Sequence, residues 1–341
     1  MSRSRTTRPP ADWIEIRPEG LYCRPGGFFI DPHAPVDRAV VTHGHGDHAC
    51  SGHGAVLATP QTLAIMQARY GEDMARTKQP CPYSVVVNHQ GVDITLFPAG
   101  HILGSAQVRL CWQGSTIVFS GDFKRRPDPT TAPFEPIACD VFVTEATFGL
   151  PVFVHPPIQN EIARLLGSMQ QFPERCHLVG VYVLGKCQRV IRALRDAGYD
   201  QPIYLHGALV KLCELYEELG VSLGPLVPTG ETERSGLAGQ CVLAPPSALH
   251  DRWASKLPDR VTAAASGWMR IRARAKQKGV ELPLVVSDHA DWPELTRTLE
   301  DVAAPEIWVT HGREEALVHY ASGLGYRASA LSLLGYDEEQ E

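Results

Sequence analysis

Val40-Val41-Thr42-His43-Gly44-His45-Gly46-Asp47-His48 decides how this chain is read. Three imidazoles and one carboxylate fall within six residues, directly after the apolar run Ala39–Val41. Neutral imidazole nitrogens and carboxylate oxygens are donors that suit zinc, and a catalytic zinc keeps one position open for water. Two ligands on one helix face would stand three or four residues apart. The spacing of two, with Gly44 and Gly46 between the histidines, requires a tightly bent loop instead. The stretch therefore reads as a strand that runs into a loop wrapped around metal. A solvated His-rich turn is the competing reading, but the order His-x-His-x-Asp-His is more specific than a composition bias.

The same grammar recurs downstream. His101 follows strand-like Asp93–Pro98, Asp122 follows Thr116–Phe119, and His311 ends Ile307–Thr310. In each case an apolar run passes through a small residue to a ligand-type side chain. Alone, any of them reads as a capped loop residue or a hydrogen-bonded histidine. Together with the first cluster they read as further ligands of one centre. The remaining histidines, such as His33, His53, His89, His155, His177, His206, His250 and His319, lack this context and read as surface or structural groups.

Bulk properties exclude little and constrain the partners. The 341 residues are 44% apolar and 21% charged, as in an ordinary globular protein of one or two domains. A net charge of −6 offers no global attraction for nucleic acid, so any such partner needs a local basic patch. Lys124-Arg125-Arg126, just beyond Asp122, is one candidate. The run Arg270, Arg272, Arg274, Lys276 and Lys278 is another, although that spacing spreads charge around a helix and equally suits a solvated surface. The nine cysteines are odd in number and form no Cys-x-x-Cys pair, which points to reduced thiols and a cytoplasmic location. The first ten residues lack the apolar stretch of a signal peptide, and no run reaches membrane-spanning length, so no membrane partner is expected.

Short strands joined by Gly and Pro turns are predicted through the first 150 residues: Leu21–Cys23, Gly27–Ile30, Ala39–Thr42, Ala55–Ala58, Ser84–Asn88, Asp93–Pro98, Ala106–Trp112, Ser115–Ser120 and Val141–Thr144. Gln61–Tyr70 reads as a helix with Pro60 in its first turn. After Phe148 helical spacing in Ile158–Met169, Cys187–Ala197 and Leu209–Leu219 alternates with strand-like Leu178–Leu184 and Pro202–Leu205, an α/β segment of different architecture. Strand-like Leu284–Ser287, a helix from Trp292 and strand-like Ile307–Thr310 follow, and Asp337–Glu341 reads as an acidic, frayed end.

In order and context His43, His45, Asp47, His48, His101 and Asp122 resemble the metal motifs of the metallo-β-lactamase superfamily. That resemblance implies an αββα sandwich with two divalent metal ions, Zn2+ and/or Mn2+, at one edge. It assigns His43, His45 and His101 to one metal, Asp47, His48 and His311 to the other, and Asp122 as the bridge. Asp31, ending Gly27–Ile30, matches an acidic position that orients a ligand histidine from behind. Val143-Thr144-Glu145-Ala146-Thr147-Phe148-Gly149 and Ser287-Asp288-His289-Ala290-Asp291-Trp292 resemble the added motifs of the β-CASP nucleases, with Glu145 and His289 as their functional residues. Gly185-Lys186-Cys187-Gln188 and Ser266-Gly267-Trp268-Met269 look like marks of the bacterial and DNA-repair branch, which makes Lys186 and Ser266 terminal-phosphate contacts and Trp268 a base-stacking or buried residue.

The domains implied are 1–149 and 281–341 for the metallo-β-lactamase fold, with 150–280 as an inserted α/β β-CASP domain. Unlike eukaryotic cross-link repair and Artemis-type nucleases, this chain has the third histidine, His311. Its length beside that of the RNA-processing members also leads to the expectation that it lacks their extra C-terminal domain. The chain is most similar to bacterial ligase-associated DNA exonucleases. The resemblance therefore implies a repair exonuclease of 5′-to-3′ polarity acting on single-stranded DNA or free ends, in partnership with an ATP-dependent DNA ligase and a helicase. Asp122 and a His289 general acid, supported by Glu145, would serve the chemistry. An RNA-processing nuclease, a small-molecule thioester or lactam hydrolase and a non-catalytic binding module are the competing readings. Glu145, His289 and the long insertion argue against the small-molecule hydrolase, and complete ligands argue against the binding module.

Overall fold

The structure, a computed structural model, describes residues 8–331. The acidic end Asp337–Glu341 lies outside the described residues. The chain divides into two compact units, one formed by residues up to 153 together with those from 289, the other by 154–288.

The first unit opens with a six-stranded sheet in chain order: β1 (Ile14–Arg17), β2 (Gly20–Cys23), β3 (Phe28–Ile30), β4 (Arg38–Val40), β5 (His53–Ala58) and β6 (Ala75–Pro80). A helix, α1 (Pro60–Tyr70), separates the last two. The second sheet contains β7 (Val86–His89), β8 (Val92–Pro98), β9 (Ala106–Trp112), β10 (Ser115–Phe119), β11 (Val141–Ala146), β18 (Glu306–Gly312) and β19 (Arg327–Ala330), in the order β19-β18-β11-β10-β9-β8-β7. Helices α6 (Trp292–Val302) and α7 (Glu314–Gly323) complete the unit.

Strand periodicity explains the layering. Val40 and Leu57 share a core with Val108, Leu110, Ile117, Val143 and Trp308, so the inner faces of the two sheets meet there. Their neighbours Ala39, Val41, Val56 and Ala58 point the other way, onto Leu63 and Met66 of α1. In the second sheet Val118, Phe142, Ile307 and Val309 pack on Leu295, Leu299 and Val302 of α6 and on Leu317 and Ala321 of α7. The result is the expected helix–sheet–sheet–helix sandwich.

Strand direction then fixes where a site can form. β9 is antiparallel to both β8 and β10, while β10, β11, β18 and β19 are mutually parallel. Consequently β8, β10, β11 and β18 all end on one edge of their sheet. Those are the strands that lead into His101, Asp122, Glu145 and His311.

The second unit is a single six-stranded sheet whose neighbours all pair in parallel. It contains β12 (Cys176–Gly180), β13 (Ile203–Leu205), β14 (Leu226–Pro228), β15 (Cys241–Ala244), β16 (Arg260–Ala265) and β17 (Leu282–Leu284), in the order β14-β13-β15-β12-β16-β17. Helices α2 (Ile158–Gln171), α3 (Lys186–Asp196), α4 (Gly207–Glu218) and α5 (Arg272–Gln277) belong to it. Two expectations are corrected. The strand read over Leu178–Leu184 stops at Gly180, because the apolar run continues into the loop that opens α3. The strand read over Leu284–Ser287 lies earlier and ends at Leu284.

Candidate metal centre

Loop 43–49 is held from three sides. Thr42 at its start bonds Asp31, described below. Arg69 Nη1 at the end of α1 donates to the Gly44 carbonyl, and Tyr70 Oη donates to the Ala49 carbonyl at 2.5 Å. The other end of α1 fixes the loop of His101. Thr59 caps the helix, accepting from the Thr62 amide at 3.1 Å, and both threonine hydroxyls donate to the Gly104 carbonyl at 2.7 and 2.9 Å. Gly104 is required there, since its φ is 79° and a Cβ would meet Gln61 Cβ at 2.6 Å. Ser105 Oγ accepts from the His101 and Ile102 amides, both at 3.2 Å. α1 therefore serves two donor loops at once, a role that its sequence pattern does not announce.

The donors converge at the end of the sandwich. One ligand atom from each of His43, His45, His101 and Asp122 lies within 4.8 Å of the others, and all four residues are buried. His43, Asp47 and His48 form a second such set, and Asp122, Glu145 and His289 a third. The sets share members: Asp122 Oδ2 is 3.3 Å from His43 Nε2, 3.4 Å from His48 Nε2 and 3.7 Å from His101 Nε2. His311 is not in these sets; its ring stacks on that of His48, centroids 4.9 Å apart and 21° between planes. The backbone there is unusual, with φ of 60° at His311 and 91° at Gly312, where β18 slips register against Ala146 of β11.

Burial and charge oppose one another in this cluster. Burial is the largest influence on His43 and His101 and drives both pKa values well below the ordinary imidazole value, leaving neutral rings. Burial also disfavours charge on His48, but Asp122 and Asp47 outweigh it and raise that pKa well above the usual value. For Asp122 burial opposes ionisation, yet His48 and His289 hold its pKa well below the usual carboxylate range. Neutral imidazoles grouped around an ionised carboxylate are the donor chemistry that a divalent cation accepts. The residues present fit such an ion.

Glu145 and His289 form a bracket beside Asp122. Glu145 Oε2 is 3.0 Å from His289 Nδ1, and Glu145 Oε1 accepts from the Phe123 amide at 2.7 Å. The Ala290 amide returns a bond to the Phe123 carbonyl at 2.6 Å. The residue after Asp122 is thus tied to both ends of the Glu145–His289 pair. Burial raises the Glu145 pKa, with His289 and the Phe123 amide opposing it. Asp291 then caps α6, accepting from the Glu294 amide at 3.2 Å in a capping box, which fixes the backbone just past His289.

The basic triplet after Asp122 is engaged in ion pairs. Lys124 is buried with its Nζ 2.5 Å from Asp128, itself buried. Arg125 pairs with Asp301 at 2.5 Å, and Arg126 with Asp291 at 2.6 Å. Each of these three cations binds a carboxylate within its own unit, so the expectation of a phosphate-holding patch here is corrected. Asp128, four residues after Lys124, is the signal the sequence offered, whereas Asp291 and Asp301 lie 165 and 176 residues from their partners.

In the second unit Lys186 opens α3 and Ser266 follows β16, at the carboxyl ends of adjacent parallel strands. Lys186 Nζ lies 3.9 Å from Asp288 Oδ2, and Arg189 Nη1 lies 3.2 Å from Asp288 Oδ1. The Ser266 hydroxyl caps the Trp268 amide at 3.2 Å. Trp268 itself is 5% exposed, with the Arg274 guanidinium 4.0 Å from its ring centre, which makes it a packed side chain within this unit.

Residues 32–173 match the metallo-beta-lactamase superfamily. A protein named as a probable DNA ligase from Opitutus terrae is 29% identical over 94% of this chain and 31% of its own length. Cleavage and polyadenylation specificity factor subunit 3 of Dictyostelium discoideum is 34% identical over 57% of this chain and 30% of its own. An endoribonuclease of Emericella nidulans is 24% identical over 68% of this chain and 36% of its own. The chain thus spans about a third of the length of the curated relatives it matches. A crystal structure of a protein of unknown function from Enterococcus faecalis shares the fold, with a TM-score of 0.59 at 10% identity over 88% of this chain and 80% of that one. Among the described residues no helix is long and apolar enough to cross a membrane. Residues 32–173 thus carry a metallo-β-lactamase domain, and the first unit brings eight histidine and acidic donors into overlapping sets.

Proposed function

We propose that this chain is a metal-dependent nuclease of the β-CASP type, with residues 154–288 as the inserted domain, and that it degrades DNA from an end during repair. The observation that carries the reading is the Glu145–His289 pair set against Asp122, at the edge of the His43–His45–His101 cluster. His43, His45 and His101 would hold one ion, Asp47, His48 and His311 a second, with Asp122 between them. Bound divalent ions, zinc or manganese, supply an acidified water and positive charge at the phosphorus being attacked.

The chain's own groups supply the rest. Asp122 orients the attacking water and accepts from it. Glu145 holds the Nδ1 proton of His289, which directs Nε2 of that ring toward the departing oxygen as general acid. Asp31 fixes the ring of His48 through a 2.8 Å bond to Nδ1. Lys186 and Ser266 contact a terminal phosphate, as the end-recognising branch of this group implies. The relative named a probable DNA ligase resembles nearly all of this chain and supports a link to ligation; a helicase partner and a cytoplasmic location rest on the family resemblance and the reduced-thiol pattern of the sequence.

RNA is the second reading, favoured by the endoribonuclease and polyadenylation-factor relatives. One experiment separates the two. The protein, with manganese or zinc, is incubated with end-labelled single-stranded DNA and RNA, each with and without a 5′-phosphate, beside Asp122→Ala. A stepwise ladder from the 5′ end of DNA alone is expected. A ladder on RNA alone moves the substrate to the second reading, and no metal-dependent cleavage of either polymer removes the nuclease reading.

A further inference from the structure

Thr42 lies between β4 and the first ligand-type histidine and is 1% exposed. Its amide donates to Asp31 Oδ1 at 2.7 Å, and its hydroxyl donates to Asp31 Oδ2 at 2.6 Å. The same hydroxyl oxygen stands 3.0 Å from His43 Nδ1. On the other side, Asp31 Oδ2 lies 2.8 Å from His48 Nδ1.

A hydroxyl carries one proton and two acceptor lone pairs, whereas a carboxylate only accepts. Between the partners open to that proton, the carboxylate at 2.6 Å takes it, because a charge-assisted O–H···O bond is shorter and about twice as strong as a neutral one. With its proton committed to Asp31, Thr42 Oγ1 can only accept from His43. Nδ1 of His43 must then carry hydrogen, and its Nε2 holds the lone pair. That Nε2 points into the donor cluster, 3.1 Å from His45 Nδ1 and 3.3 Å from Asp122 Oδ2. We propose that Thr42 is a positioning residue that relays the Asp31 carboxylate to His43. One carboxylate then sets the ring proton of two histidines, His48 directly and His43 through the threonine, and turns both Nε2 atoms toward the metals.

The surroundings hold the relay in place. Gly121, at φ 54°, leaves no room for a side chain, since a Cβ there would stand 2.8 Å from Thr42 Cβ and 2.9 Å from its Oγ1. The Thr42 carbonyl accepts from the Ala106 amide at 2.8 Å, so the residue is anchored on its backbone as well. Asp31 sits at φ 42°, a left-handed conformation uncommon for a residue with a side chain, and this aims its carboxylate back at Thr42.

The value of the relay to metal binding rests on the ligand assignment proposed above, whereas the proton position does not. Long-range 15N–1H spectra of the metal-free protein report directly which ring nitrogen of His43 is protonated. Nδ1–H is expected, and Nε2–H would overturn the relay. Thr42→Val keeps the shape and removes the hydroxyl, and is expected to replace the single Nδ1–H pattern with a mixed or reversed one. Thr42→Ser should restore it. Zinc affinity, measured by chelator competition, should fall roughly 10- to 100-fold in Thr42→Val and return in Thr42→Ser. Unchanged spectra and unchanged affinity in a folded Thr42→Val protein would also overturn the proposal. If the unaltered protein binds no zinc, the ligand assignment fails, and the spectra still decide the relay.

Discussion

The two units place polar groups at the carboxyl ends of parallel strands, yet they gather opposite charges there. In the first unit, strand ends deliver neutral imidazoles and carboxylates, and every close set of three or more metal-type donors among the described residues falls in it. In the second, the ends of β12 and β16 lead to Lys186 and Ser266, and Lys186 and Arg189 share the single carboxylate of Asp288. Its cysteines Cys176, Cys187, Cys213 and Cys241 are buried. Burial pushes the Cys176 and Cys241 thiols up to about 12, so they behave as small apolar groups and not as metal ligands. One architecture-level rule therefore yields a cation-holding edge in one case and a cation-bearing edge in the other. The residue types, and not the strand arrangement, decide which.

The largest expected effect tests the first edge. Asp122→Ala should lower metal-dependent cleavage of end-labelled single-stranded DNA by on the order of 10²–10³-fold or more, with bound metal falling in parallel. Retained cleavage would mean that the overlapping donor sets do not act as one centre. Next comes the buried pair that stands behind that edge. Lys124→Met leaves Asp128 buried without its cation and should cost about 3–5 kcal/mol in chemical denaturation. Lys124→Met with Asp128→Leu should recover most of that loss, which separates the pair from any part in holding substrate.

A smaller effect probes the second edge. Lys186→Ala should raise KM for 5′-phosphorylated DNA by roughly 10-fold, the loss expected for one charged hydrogen bond, while leaving zinc content unchanged. A fall in zinc content instead would erase the contrast between the units. The smallest effect is in pH dependence. His177 is buried against Ser168 Oγ at 2.9 Å, and burial lowers its pKa below the ordinary value. The unfolded chain therefore takes up a proton first as pH falls below about 6.5, and folding stability declines through that window. His177→Gln should flatten this part of the stability curve of the second unit.

Much of this could be read before any coordinates. Alternating strands such as Ala106–Trp112 fall where expected, because one face meets the other sheet and the opposite face meets a helix or solvent. The helix from Trp292 is announced by its Asp-x-x-Glu box and by proline in its first turn. β15 and β16 were not legible, since Cys-Val-Leu-Ala and Arg-Val-Thr-Ala-Ala-Ala are buried parallel strands without alternation, rich in small residues. β1 and β6 escaped as short or polar edge strands. At the site, donor types and order were visible from the spacing. The partnerships of Thr42 and Asp291 were not, because each depends on a neighbour distant in sequence or on a rotamer that no pattern encodes.

The parallel pairing of β11 with both β10 and β18 has a consequence for how the chain is made. His43, His45, His101 and Asp122 have all been synthesised before the second unit begins, whereas β18 is made only after that unit. Throughout that interval β11, a strand as apolar as Val-Phe-Val-Thr-Glu-Ala, presents an open edge to any passing chain. Synthesis at slow translation rates, or with the chain cut after residue 288, should expose this edge as a site of aggregation well before any loss of chemistry is felt.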